Sequence, residues 1–202
     1  MDQLFNIHTL IEILLGISLS AASGFRVFVP LLALSTAAVF GHIDLPTNFD
    51  WIENSQALAV FAVASVLEIG GYYIPLFDHL LDVAATPASI LVGTIITASL
   101  APDMNPLAQW TLALVAGGGT AGITKGFMNL FRATSTATSG GLGNPVVATI
   151  ELVAAIALSL LALTLPVVAG IAVIGLLAIA ISKLWQFFSR FLLTNSPNNL
   201  SQ

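Results

Sequence analysis

The chain has no cysteine in its 202 residues, which excludes disulfide bonds, thiol redox chemistry and iron–sulfur ligation. Basic residues are nearly as scarce: Arg26, Lys125, Arg132, Lys183 and Arg190 are the whole set. Charged residues of both signs make up 7% of the sequence, against about a quarter in an ordinary soluble domain. The five scattered cations form no basic aromatic patch, so nucleic acid is not expected as a partner. What fills the sequence is apolar: 57% of residues are hydrophobic and the mean hydropathy is +0.98, the composition of a chain solvated by a lipid bilayer. The fold class that follows is an all-α, polytopic transmembrane helix bundle. It forms one integral membrane domain over residues 1–194, with a polar, disordered tail over 195–202. Nothing in the sequence calls for a cofactor.

A span needs about 20 mostly apolar residues, fewer where the bilayer thins. Seven segments meet that description: Phe5 to Ala22, Val27 to Phe40, Ser55 to Tyr73, Pro87 to Leu100, Leu107 to Ile123, Pro145 to Leu165 and Pro166 to Leu184. The second and fourth are short, at roughly 21 Å if helical, and read as tilted or discontinuous. Three further stretches are not spans. Pro75 to Val83 sets Leu76, Phe77, Leu80 and Leu81 against Asp78, His79 and Asp82, the pattern of a short amphipathic helix. Trp185 to Leu193 has the character of a helix lying along the interface. Ala133 to Asn144, rich in Ser, Thr and Gly, reads as a mobile loop.

Loops on the cytoplasmic side carry the Lys/Arg excess. With seven crossings, Arg26, the pair Lys125 and Arg132, and the pair Lys183 and Arg190 all fall on one side. The connections holding Asp44, Asp50, Glu53 and Asp103 fall on the other. The expectation is an outside N-terminus and a cytoplasmic C-terminus, in a bacterial inner or thylakoid-type membrane. The first segment is read as a span, because Asp2 and Glu12 without a basic residue reverse the charge of a signal peptide. Trp51, Trp110 and Trp185, each at a span end, read as interfacial anchors. A faint parallel repeat relates Ser23-Gly24-Phe25-Arg26, leading to Leu34-Ser35-Thr36-Ala37, to Ala121-Gly122-Ile123-Thr124-Lys125, leading to Thr134-Ser135-Thr136-Ala137, each closing a span on the same side.

An ionised side chain at membrane depth costs roughly 2.5 to 3.5 kcal/mol on insertion scales, so each one needs a partner or a wet cavity. Glu68, deep in span three, and Glu151, one and a half turns into span six, sit at the level of Arg26, Lys125 and Arg132. One polar cluster opening to the cytoplasm follows, whose members either carry a proton or ion or hold helices in register as ion pairs. Asp78 and Asp82, four apart, project from one helical face and suit a shared proton or a divalent cation, or simply a wet surface. Gly118, Gly122 and Gly126 recur every four residues, which permits close helix packing or local unwinding. Lys125 does not follow the last glycine directly and no strand precedes the run, so a nucleotide loop is excluded. Gly143 and Asn144, opening span six behind Gly140-Gly141, offer a helix start for an anion.

These residues resemble a family of small bacterial membrane proteins known as domain of unknown function 4126. The shared stretches are Glu68 through Ile74-Pro75, Asp78, Asp82, Pro87, Gly117-Gly118, Lys125, Arg132, Gly143-Asn144-Pro145 and Glu151, covering nearly the whole chain. In that family an Asp-Lys pair precedes the Ile-Pro and an Asp follows the last Glu; here Tyr72-Tyr73 and Leu152 stand there. The resemblance implies a polytopic membrane protein and brings no activity. The residues favour a transporter or channel for a polar or anionic solute or a lipid head group, with Arg26, Lys125, Arg132, Gly143 and Asn144 binding and Glu68, Glu151, Asp78 and Asp82 coupling a proton or ion. The alternatives are a membrane assembly protein, or a metal-assisted lipid enzyme, for which no nucleophile and base pair is visible. Thin walls of short spans point to a homo-oligomer.

Overall fold

A computed structural model describes the backbone of residues 7–101 and 104–194, and the same side chains apart from 75, 76, 79, 184 and 187–194. The predicted tail over 195–202 lies outside the described residues. The architecture is an all-α bundle: α1 (Ile7–Phe25), α2 (Phe28–Val39), α3 (Ser55–Gly71), α4 (Pro75–Leu100), α5 (Pro106–Leu112), α6 (Gly119–Ser139), α7 (Asn144–Thr164) and α8 (Pro166–Thr194). Asn54 and Asn105 cap α3 and α5 by accepting the amides of Gln56 and Leu107, and prolines open α4, α5, α7 and α8 where a missing N–H costs nothing. Four stretches, Ile7–Phe25, Leu80–Leu100, Asn144–Thr164 and Pro166–Lys183, are long and apolar enough to cross a bilayer, and Phe28–Val39 and Ser55–Gly71 are shorter apolar helices. The protein is an integral membrane protein.

Helix α1 is the axis of the bundle, packing against α4, α6, α7 and α8. Its buried face is built from Gly16, Ser18, Ser20, Ala21, Ala22, Ser23 and Gly24, residues small enough to let backbones approach. Ser20 Oγ donates to the Gly93 carbonyl at 2.7 Å and lies 2.9 Å from Thr97 Oγ1, tying α1 to α4. Between α5 and α6 the chain stays helical but widens into a π-helical stretch, Ala113–Gly118. The widening brings Gly117 against Gly93, where an added Cβ would stand 2.4 Å from the Gly93 carbonyl oxygen. Gly118 and Gly122 face Thr94 and Ile90 in the same way, whereas Gly126 faces open space. The glycine spacing is therefore used for packing on α4, and the helix does not unwind.

Three sequence expectations are corrected. Pro75 to Val83 is not a separate amphipathic helix: it is the first part of the continuous α4, which runs through Pro87. Membrane helices tolerate proline inside, because neighbouring groups re-satisfy the backbone. Ala133 to Asn144 is not a loop: α6 runs to Ser139, with only a short turn after it. Its hydroxyls join the helix, Thr134, Thr138 and Ser139 donating to the carbonyls of Leu130, Thr134 and Ser135. Gly140 and Gly141, at φ 62° and 90°, then supply the left-handed turn. Lys125 consequently sits inside a helix, so the two halves of the faint repeat are not equivalent. Trp185 to Leu193 continues α8 rather than forming its own helix.

Candidate functional site

Helical spacing assembles the polar end of the bundle. Lys125, Asn129, Arg132 and Thr136 lie at i, i+4, i+7 and i+11 on α6, and so share one face. Asp78 and Asp82, one turn apart on α4, meet that face. Glu151 enters from α7, Arg26 from the residue just after α1, and Tyr72 from the C-cap of α3. Arg26 and Glu151 are fully enclosed, Lys125 is 1% exposed, and Asp82 is the most open of the acids at 21% of its side chain.

Arg132 is the hub. Its Nε donates to Glu151 Oε1 at 2.9 Å, its Nη2 to Glu151 Oε2 and its Nη1 to Asp78 Oδ1, while Asp82 Oδ2 lies 3.6 Å from Nε. A bidentate carboxylate plus a second acid uses every nitrogen of the guanidinium. Lys125 Nζ donates to Asp82 Oδ1 at 3.0 Å and to the Tyr72 hydroxyl at 3.3 Å, and that hydroxyl donates to Asp82 Oδ1 at 3.2 Å. Arg26 Nη2 donates to the Ala148 carbonyl at 2.7 Å and lies 3.8 Å from Glu151 Oε2. Its Nε and Nη1 have no hydrogen-bond partner. The Tyr72 ring offsets part of that deficit, since the guanidinium carbons of Arg26 and Arg132 lie 3.9 and 4.5 Å from its centroid.

Glu68 has a different task. Its two carboxylate oxygens accept the backbone amides of Val27 and Phe28, at 2.8 and 3.0 Å, so it caps α2 from another helix. A carboxylate there meets both the orphan donors and the positive end of the helix dipole. Gly143 and Asn144 stand at the mouth of the site. The Gly143 amide donates to Ser139 Oγ at 3.0 Å and the Asn144 amide to the Gly141 carbonyl at 3.1 Å. The Asn144 side chain donates to Asp78 Oδ2 at 3.0 Å and accepts from Thr136 at 3.2 Å.

Two cavities flank this network. One, of about 460 Å³, is bordered by Tyr72, Tyr73, Asp78, Thr136, Asn144 and the Gly140-Gly141 turn. The other, of about 510 Å³, is bordered by Asp82, Val83, Asn129, Arg132, Ala133, Thr136, Ala137 and Asn144. Thr136 and Asn144, hydrogen-bonded to each other, border both. Among the described residues no group of three His, Cys, Asp or Glu side chains gathers to hold a metal ion. A groove of about 500 Å³ between α2 and α7 is lined mainly by aliphatic side chains.

The chain matches the family model described as "Domain of unknown function (DUF4126)" over residues 13–186. It belongs to that family. No curated protein and no solved structure matches it. The match runs from within α1 into α8, so every member of the charged network falls inside the family domain.

Sequence reading singled out Arg26, Lys125, Arg132, Glu68, Glu151, Asp78 and Asp82, and all seven stand at this end of the bundle. It missed Tyr72, Asn129 and Thr136. Tyr72 follows Glu68 by four residues, and Asn129 and Thr136 complete the α6 face; ending the fifth span at Ile123 and reading Ala133 to Asn144 as a loop hides that periodicity.

Proposed function

We propose that the protein is a transporter or channel that moves a small polar solute or a lipid head group across the membrane, with the charged network as its cytoplasmic binding and gating element. The observation that carries this reading is the pair of cavities of about 460 and 510 Å³ sharing walls with a buried ion network at one end of a membrane bundle. A network built only to hold helices together has no need of two adjoining spaces lined by its own hydroxyl, amide and carboxylate groups. Ionisable groups at membrane depth mark solute and ion paths. Thr136 and Asn144, which border both cavities, are joined by one neutral hydrogen bond, worth about 1 kcal/mol, which thermal motion opens readily.

The test is flux. Purified protein is reconstituted into vesicles, and their swelling is followed by light scattering for a panel of sugars, amino acids, amines and small anions. At least one solute class is expected to enter faster than into protein-free vesicles, with Thr136→Val changing that rate. Equal swelling for every solute, with and without protein, would contradict the reading. The assembly alternative draws no support from Gly117, Gly118 and Gly122, which already pack within the chain.

A further inference from the structure

We infer that the groove between α2 and α7 holds one acyl chain of a membrane phospholipid, a site independent of the transport reading. Glu68 caps the start of α2 and Glu151 enters near the start of α7, so both helices run away from the charged end together. The groove is lined by α2 from Val29 onward, by the residues just after it, and by α7 only in its second half, Ile156 to Thr164. It therefore occupies the half of the membrane opposite the charged network. From Val29 to Phe40 the backbone rises roughly 16 Å, which matches half of a hydrocarbon core about 30 Å thick. Spread over that length, a volume of about 500 Å³ leaves a cross-section of roughly 30 Å², room for one hydrocarbon chain but not for a helix about 10 Å across.

The wall is apolar although three of its residues carry hydroxyls. Thr36 donates to the Leu32 carbonyl at 2.6 Å and Thr164 to the Leu160 carbonyl at 2.8 Å, so each proton is spent on its own helix. Ser159 is 1% exposed, and its Oγ lies sealed beneath the wall. Water stays in a cavity only where about two to four polar partners hold it, and an apolar space stays dry and takes up hydrocarbon. The one ionisable residue on the groove is His42, beyond the end of α2. A polar group at one end and none along the length suits an amphiphile whose head group stands at His42. Lipid tails are as apolar as the wall, so the bound chain gains no hydrophobic free energy over the bilayer. What it gains is close contact with a fixed concave surface, and what α2 and α7 gain is the packing that a void would forfeit.

Native mass spectrometry of the full chain in detergent reads the occupant. Protein stripped of lipid by extended washing is titrated with dioleoylphosphatidylcholine, with one-chain oleoyl lysophosphatidylcholine, and with glycerophosphocholine, which has the head and no chain. The expected result is one phospholipid or one lysolipid per protein chain, and no glycerophosphocholine. Ala33→Phe and Ala37→Phe, which fill the groove from its α2 wall, should weaken the apparent affinity at least about tenfold. Ala178→Phe, on the exposed side of α8 and outside the groove, should bind like the native chain. In thermal unfolding, phospholipid should raise the Tm of the native chain and of Ala178→Phe, and leave the two filled variants unmoved. No bound phospholipid, equal binding by the filled variants, or an equal loss in Ala178→Phe overturns the site. A native dimer that the filled variants dissociate would instead place a second copy in the groove. Lipid binding that begins only when residues 2–6 are deleted would place the N-terminus there, and either outcome also overturns the site.

Discussion

The contact of α1, α4 and the π-helical stretch in the middle of the bundle and the charged network at its end hold the same helices by opposite means. In the first, Gly16, Gly93 and Gly117 bring backbones together with side chains all but absent, and Ser20 and Thr97 add short hydrogen bonds. In the second, Arg26, Lys125 and Arg132 reach across between helices to acids on α4 and α7. One region has no spare volume; the other has cavities on two sides. Lipid supplies no hydrophobic drive between helices, so close packing and polar contacts share the work. The difference teaches which region is close-packed scaffold and which leaves open space beside its polar groups.

The largest effect is expected at the hub. Arg132→Met leaves Asp78 and Glu151 buried without their main partner, and should lower unfolding stability by about 3–5 kcal/mol, measured by denaturant unfolding in detergent. A loss no larger than that of a surface substitution would mean that the network is hydrated rather than sealed. Gly117→Leu comes next, since its new Cβ meets the Gly93 carbonyl and Thr97; overpacking of this kind costs about 1–3 kcal/mol. Gly126→Ala, which meets nothing within 4 Å, is its control and should leave Tm unchanged or raise it. The smallest effect is Tyr72→Phe, which keeps the ring beneath the two guanidinium groups and removes only the hydroxyl between Lys125 and Asp82. About 1 kcal/mol should be lost, and a Tyr72→Leu protein should lose more because the ring contact goes too.

Much of this was legible from residues alone. Composition specified a membrane bundle, and the scarcity of charge made each buried Glu, Lys and Arg conspicuous at once. The glycine spacing pointed to close packing, and the partner proved to be α4 of the same chain. The misreadings share a cause. Ser and Thr around Thr134 to Ser139 read as loop formers, yet in α6 their hydroxyls bond back to carbonyls one turn earlier and are accommodated within the helix. Pro87 looked like a boundary between an interfacial helix and a span, yet α4 passes through it, and that continuity buries Asp78 to 2% exposure. The capping of α2 by Glu68 joins residues 40 apart in sequence, and no local pattern reports such a contact.

The absence of native cysteine makes one measurement unusually direct. Thr136→Cys and Thr97→Cys, each the sole cysteine in its chain, are reconstituted and exposed to membrane-impermeant thiosulfonate reagents of either charge. The account predicts that the cysteine at 136 reacts, while that at 97 stays unmodified in the closed contact. Equal silence at both positions, or reaction at 97 as fast as at 136, would contradict the claim that the charged end is open while the glycine contact is closed.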